Sequence, residues 1–136
     1  MSEGIHMIKQ LIVIGLGCAI GGMSRYGLSE GLHHWLGRSF PWGTLCVNLL
    51  GSLLMGIGFI ILVERPLFNV GLSQHLRLFL LVGLLGGFTT FSTFSIDTIH
   101  LLENGHLLIS SLYIIISVIL CVLAAYTGLT LTRLIY

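Results

Sequence analysis

The sequence predicts an all-α membrane protein that crosses a lipid bilayer four times, with the third helix broken near the midplane. Three observations predict this. Of the 136 residues, 55% are hydrophobic and only 8% are charged, whereas a soluble domain has about a quarter of its residues charged. The few charges leave four gaps, since none falls in residues 10–24, 41–63, 78–96 or 107–132. Inside the third gap stands a cluster of glycine and hydroxyl residues that makes a poor helix interior.

A helix needs roughly 20 apolar residues to cross a hydrocarbon core of about 30 Å. The first span, expected over residues 8–28, reaches that length when Lys9 and Arg25 extend their charges toward the interfaces on aliphatic stems. Residues 42–63 and 107–133 supply the second and fourth spans outright, and the third takes residues 76–102, continuing past Asp97. The connections 28–40, 64–75 and 103–106 are too short to fold separately, so residues 1–136 read as one four-span domain. The first span is not followed by a small-residue cleavage site and a mature domain, which argues against a signal peptide. Residues 1–6 read as a short disordered extension, with Met7 as an alternative start.

Cys18, Cys46 and Cys121 lie in separate spans without a CxxC pattern and read as small packing residues. His6, His33, His34, His75, His100 and His106 form no HxxxH pair, so a transition-metal site is not expected. Positive loop charges set orientation. Lys9, Arg65, Arg77 and Arg133 share one side with the termini, and Arg25 and Arg38 lie on the other. That bias favours cytoplasmic termini but is weak enough to permit insertion both ways.

Function is sought where polar groups are spent inside the membrane. In the third span Gly86 and Gly87 are followed by Thr89, Thr90, Ser92 and Thr93. A break here would free carbonyls that only protein, water or an ion can satisfy, and unwound segments of this kind coordinate small cations. The alternative is tight packing, because Gly17 with Gly21, Gly27 with Gly31, and Gly83 with Gly87 each form a GxxxG. Phe91 and Phe94 share a helix face with the break, and their positive ring edges suit a small anion without trapping it; core or lipid packing is the other reading. Asn48, the only amide in the second span, is either an interhelical hydrogen bond or a donor to a passing anion. Tyr113 and Ser117, four residues apart, line one side of the fourth span. Arg25 beside Tyr26 reads as an interfacial anchor or as a positive wall that concentrates anions in a vestibule.

Residues 86–94, GGFTTFSTF, resemble the signature of the Fluc (CrcB) family of fluoride channels. Gly21-Gly22 with Arg25-Tyr26, Gly43-Thr44, and Asn48 followed by Gly51 resemble its first and second spans, in the same order. Phe88 stands where that pattern has a smaller aliphatic residue, which leaves a carbonyl site undisturbed.

The resemblance implies an antiparallel, dual-topology homodimer with two fluoride pathways along the subunit interface. It further implies a structural sodium ion at the centre, held by the backbone carbonyls of Gly86 and Thr89 from both copies. Phe91 and Phe94 would line the pores, Asn48 would donate to fluoride, and Ser92 and Thr93 would belong to a polar track, with Tyr113 and Ser117 aligning less closely. Weak serial donors let a strongly hydrated anion enter and leave. The membrane potential would then drive fluoride out of the cell passively. Partners on this reading are fluoride, sodium, lipid and a second copy of the chain, in a bacterial inner membrane, with no nucleic acid. No P-loop or nucleophile–base pair suggests an enzyme.

Two rival classes fare worse. A proton-coupled exporter resembling the small multidrug resistance transporters needs a carboxylate within the first span, and Glu3 and Glu30 lie outside it. An assembly subunit without transport would explain the glycine motifs, but not the threonines and phenylalanines gathered in one span.

Overall fold

The computed structural model describes residues 2–136, and every regular element among them is helical. Helix α1 runs over Ser2–Leu36. Helix α2 covers Trp42–Phe59 and widens into a π-helical turn, Ile60–Glu64. Helix α3 comprises an α-helical start, Val70–Leu76, a π-helical stretch, Arg77–Leu85, and a last turn, Gly86–Phe88. Helix α4 is Phe91–Glu103 and α5 is Leu107–Ile135. Four helical stretches among the described residues are long and apolar enough to cross a membrane, and the third, Gly71–Glu103, joins α3 to α4.

Local chemistry sets the boundaries. Glu3 lies in the first turn of α1, where a carboxylate favours the positive end of the helix dipole. Residues 2–6 are therefore helical rather than a disordered extension; Met1 lies outside the described residues. At its other end α1 passes the expected limit of the first span, since residues 29–36 contain no proline, and it stops before Gly37. Gly37 and Gly105 adopt φ of 80° and 77°, a left-handed conformation that glycine enters without steric cost, and they close α1 and the α4–α5 turn. The Asn69 side chain accepts the Leu72 N–H at 3.0 Å and caps α3.

The helices pair α1 with α3 and α2 with α5. The first pair is a glycine seam. A Cβ on Gly83 would meet the Ile14 carbonyl oxygen at 2.7 Å and Gly17 Cα at 2.9 Å, and one on Gly87 would lie 2.9 Å from Cys18 Cα. A Cβ on Gly17 or Gly21 would strike the backbone of α3 in return. The GxxxG pairs 17/21 and 83/87 thus face each other. Gly27 and Gly31 have no other helix within 4 Å of such an atom, so the third GxxxG packs against nothing among the described residues. The α2–α5 pair closes on Gly56 and Gly128, which no GxxxG marks.

The buried core is small, centred on Leu45, Phe94, Leu101 and Tyr113, with a second cluster of Leu62, Leu81 and Leu85. Leu11, Leu16, Ile115, Ile119 and Val122 are exposed, as lipid-facing side chains must be when lipid replaces water as solvent. Glu64 and Arg133 close one end of the α2–α5 pair with a forked ion pair, Nη2 to Oε2 at 2.6 Å.

Candidate functional site

Between α3 and α4 the chain leaves helical geometry. Thr89 takes φ −80°, ψ 156° and Thr90 φ −152°, ψ 121°, and the helix resumes at Phe91. Asn48 on α2 holds this interruption like a complementary template. Its Nδ2 donates to the Thr90 carbonyl at 2.9 Å, and its Oδ1 accepts the Thr90 N–H at 2.8 Å. The pairing fixes which way the amide faces and leaves one Nδ2 hydrogen unspent. One turn along α2, Gly51 makes room for the interruption, because a Cβ there would strike Thr89 Cγ2.

The neighbouring hydroxyls finish both helix ends. Thr89 Oγ1 donates to the Leu85 carbonyl at 3.0 Å, the carbonyl that also accepts the Thr89 N–H. Thr90 Oγ1 accepts the Thr93 N–H at 3.2 Å as the N-cap of α4. It also lies 3.2 Å from Ser92 Oγ and 3.0 Å from Thr93 Oγ1, so three hydroxyls gather at this end. From the other side Arg25 Nη1 donates to the Thr89 carbonyl at 3.3 Å. The helix that carries Arg25 continues beyond it to Leu36. Arg25 sits half-buried within α1, within reach of the interruption.

Two cavities meet at Thr90. A groove of about 340 Å³ runs between α2, α4 and α5, bordered by Asn48, Gly51, Thr90, Phe91, Phe94 and Ser117. A polar cleft of about 260 Å³ lies between α1, α2 and α4, with Arg25, Glu30, Thr44, Thr90, Thr93 and Asp97 on its walls. The predicted residues are therefore divided. Asn48, Phe91, Phe94 and Ser117 border the groove, whereas Arg25 and Thr93 border the cleft. Ser92 is exposed at the start of α4.

The two phenylalanines differ despite their shared face. Their ring centroids are 5.4 Å apart, yet Phe91 is 76% exposed and Phe94 only 9%. Phe94 leans on Tyr113 at 5.2 Å, and Tyr113 meets Phe40 edge-on at 5.4 Å. Tyr113 is fully buried behind Phe94 and does not border the groove. The Ser117 hydroxyl is buried, has no partner among the described residues, and borders the groove, so it is free to donate there.

Sequence reasoning named Thr90 and Asp97 but gave neither a role of its own. Thr90 was signalled by its place just before an apolar helix, the usual position of an N-cap hydroxyl. Asp97 was signalled as a carboxylate inside an apolar span; it accepts the Thr44 hydroxyl at 2.6 Å and joins α4 to α2. Ser110 adds a further clamp, its Oγ donating to the Thr98 carbonyl at 3.2 Å and tying α5 to α4.

The interruption has an electrostatic consequence. The C-terminal end of α3 presents carbonyls, which favour cations, beside the N-terminal end of α4, which presents N–H groups and favours anions. A largely apolar groove with a few polar groups and a polar cleft open at this junction in a chain with four stretches able to cross a membrane, so fold and site define a multi-pass membrane protein with polar groups gathered at an interrupted helix. Residues 12–129 match the family described as CrcB-like protein, Camphor Resistance (CrcB). The chain belongs to that family. It is 49% identical over 126 residues to the "Fluoride-specific ion channel FluC" of Magnetococcus marinus, covering 93% of this chain and 99% of the relative. The protein of the same name from Coxiella burnetii is 47% identical, over 90% of this chain and 97% of its own length. That from Geobacter sulfurreducens is 43% identical, over 90% and 96%. These relatives are ion channels by name, and the family is one of channels rather than enzymes.

Proposed function

We propose that this chain is a passive, fluoride-selective channel that lets fluoride leave the cytoplasm across the cell inner membrane. The observation that carries this reading is the groove itself, where Asn48, the Phe91 and Phe94 rings and the unpaired Ser117 hydroxyl border one space beside the start of α4. Every donor on that path is neutral. A small anion can exchange water for one remaining Asn48 N–H, the Ser117 hydroxyl and ring edges, with none binding it tightly enough to stop exit. Ser92 and Thr93 extend the same chemistry around the α4 terminus. Arg25, on the cleft side, shares its walls with Glu30 and Asp97, so its attraction for anions acts close to its own guanidinium and not over the whole cleft. Tyr113 acts one layer back, by backing the Phe94 ring.

The path needs a second copy. Phe91 stands out from the protein beside an open groove, and an antiparallel partner presenting the same surface would cover it. Two copies inserted in opposite orientations would place the interruption near the bilayer midplane, facing its counterpart. The six positive charges, divided four against two in the sequence, permit that dual insertion.

A structural sodium ion at the dimer centre fits the donors present. Hard cations take oxygen ligands, and the Gly86 and Thr89 carbonyls are separated from their usual helical donors: the Thr90 N–H goes to Asn48 and the Thr93 N–H to Thr90 Oγ1. Arg25 uses one lone pair of the Thr89 oxygen and leaves the other. When bound, the cation would offset the clustered carbonyl dipoles of the two α3 ends.

Liposomes loaded with potassium fluoride, with valinomycin added and release followed by a fluoride electrode, test the channel. Fast fluoride release with chloride retained is the expected result. No release above protein-free liposomes, from folded protein with sodium present, would sink the proposal.

A further inference from the structure

We infer that Thr90 and Asn48 are the positioning residues that create the cation-binding carbonyls of Gly86 and Thr89, by diverting the two N–H groups that would otherwise close them. The inference rests on the sodium reading above. In a continuous helix the N–H of residue i bonds the carbonyl of residue i−4. The Gly86 carbonyl would then accept from Thr90, and the Thr89 carbonyl from Thr93. Neither bond forms. Asn48 Oδ1 takes the Thr90 N–H at 2.8 Å and Nδ2 holds the Thr90 carbonyl at 2.9 Å. Thr90 Oγ1 takes the Thr93 N–H at 3.2 Å.

Each diversion comes from a different side chain, and both converge on one residue. Asn48 reaches in from α2, so the Gly86 carbonyl is set by an interhelical contact. Thr90 acts within its own helix start, so the Thr89 carbonyl is set locally. Because Thr90 borders both the groove and the cleft, the same backbone unit shapes both cavities. Thr90 is buried and extended, so its hydroxyl is fixed in the capping position and not free to rotate into either cavity. Asn48 consequently has two duties: one Nδ2 hydrogen holds the break, and only the other is available to an anion.

Removing either diverting group lets the N–H return to its helical carbonyl. The cation site should weaken even though neither side chain touches the cation. The test titrates sodium, with N-methylglucamine as the replacing cation, against the thermal midpoint of the purified full-length chain read by tryptophan fluorescence. Fluoride release from liposomes is followed in the same buffers. Wild type is expected to be stabilised by sodium. Thr90→Val, which keeps shape and loses the acceptor, should need about tenfold more sodium for the same stabilisation, the cost of one hydrogen bond of about 1.4 kcal/mol. Thr90→Ser retains the acceptor and should follow wild type. Asn48→Ala should shift as Thr90→Val does, and it supplies the comparison if the valine variant does not purify folded.

Wild-type-like sodium titration of Thr90→Val and Asn48→Ala would overturn the inference while leaving the sodium site intact. So would a Thr90→Ser shift as large as that of valine. If wild type itself ignores sodium in both midpoint and fluoride release, the sodium reading fails and the inference falls with it.

Discussion

The two halves of the third span are consecutive in sequence and held by opposite means. α3 is fixed by shape: Gly83 and Gly87 lie against Gly17 and Cys18 of α1 with backbone meeting backbone. α4 carries no glycine and is held by side-chain polarity, through Asn48 at its start, Thr44 on Asp97 and Ser110 on Thr98. The interruption falls where one regime gives way to the other. A glycine seam tolerates no added atom but needs no partner atoms, whereas a polar clamp tolerates small movement but fails if one partner is lost. The half that meets α1 backbone to backbone adds the packed side chains of Leu81 and Leu85 to contacts that have no rotamers. The half that borders the cavities is built from groups with hydrogen-bonding capacity to spare.

The sharpest way to break this contrast is Gly83→Val. Its Cβ would sit 2.7 Å from the Ile14 carbonyl oxygen and 2.9 Å from Gly17 Cα, and both obstacles are backbone. Overpacking of this kind costs about 3 kcal/mol or more when neighbours cannot yield, and here only a separation of α1 from α3 relieves it. Gel filtration should show loss of monodisperse protein, while Gly22→Ala, where nothing lies within 4 Å, should elute as wild type. Normal elution of Gly83→Val would show that α1 and α3 can part without cost and that the seam is not what fixes α3.

Within α4 the comparison narrows to two rings. Phe94→Ala removes a buried ring from the cluster of Leu45, Leu101 and Tyr113 and should cost about 3–5 kcal/mol. Phe94→Ile should lower the thermal midpoint less than that, but more than Phe91→Ile does, because Phe91 is 76% exposed in the single chain. Fluoride release should fall in both isoleucine variants if both rings border the path. Release lost with Phe94→Ile but unchanged with Phe91→Ile would reduce the path to the buried ring and make Phe91 a lipid or partner contact.

This division between shape and polarity explains what was legible in the sequence. The four spans followed from gaps in charge, because lipid imposes one constraint over about 20 residues at a time. The Gly17/Gly21 and Gly83/Gly87 pairs were legible because helical facing has a period, but their meeting each other was not, since spacing names a face and not its partner. Gly56 and Gly128 escaped notice because neither has a second glycine at GxxxG spacing, only Ser52 and Ala124 four residues before them, and their importance exists only across the α2–α5 contact. Asn48 stood out as polar, yet its two readings were not separable until Thr90 lay opposite both ends of its amide. Thr90 was not singled out among four hydroxyls, although only it combines a capping geometry with a place on both cavities. A sequence marks which groups are costly in lipid, and the fold decides which of them are spent on each other.

Gly27 and Gly31 give the smallest expected effect and bear on the second copy. Their spacing is that of the α1–α3 seam, but among the described residues nothing beyond the neighbouring turns of α1 comes within 4 Å of a Cβ at either position. If they face only lipid or water, Gly27→Ala and Gly31→Ala should raise the thermal midpoint slightly, since alanine favours a helix interior over glycine by up to about 1 kcal/mol. The measurement is the midpoint together with the oligomeric mass in detergent, for each variant alone and for the pair. A lowered midpoint accompanied by loss of dimer mass would mean that another copy packs on this stretch of α1, because no other helix among the described residues lies where the added methyl would strike it. The same motif would then have two uses in one helix, at 17/21 to join α1 to α3 and at 27/31 to join one subunit to the next. An unchanged mass would leave the groove beside Phe91 as the surface on which dimer formation has to be sought.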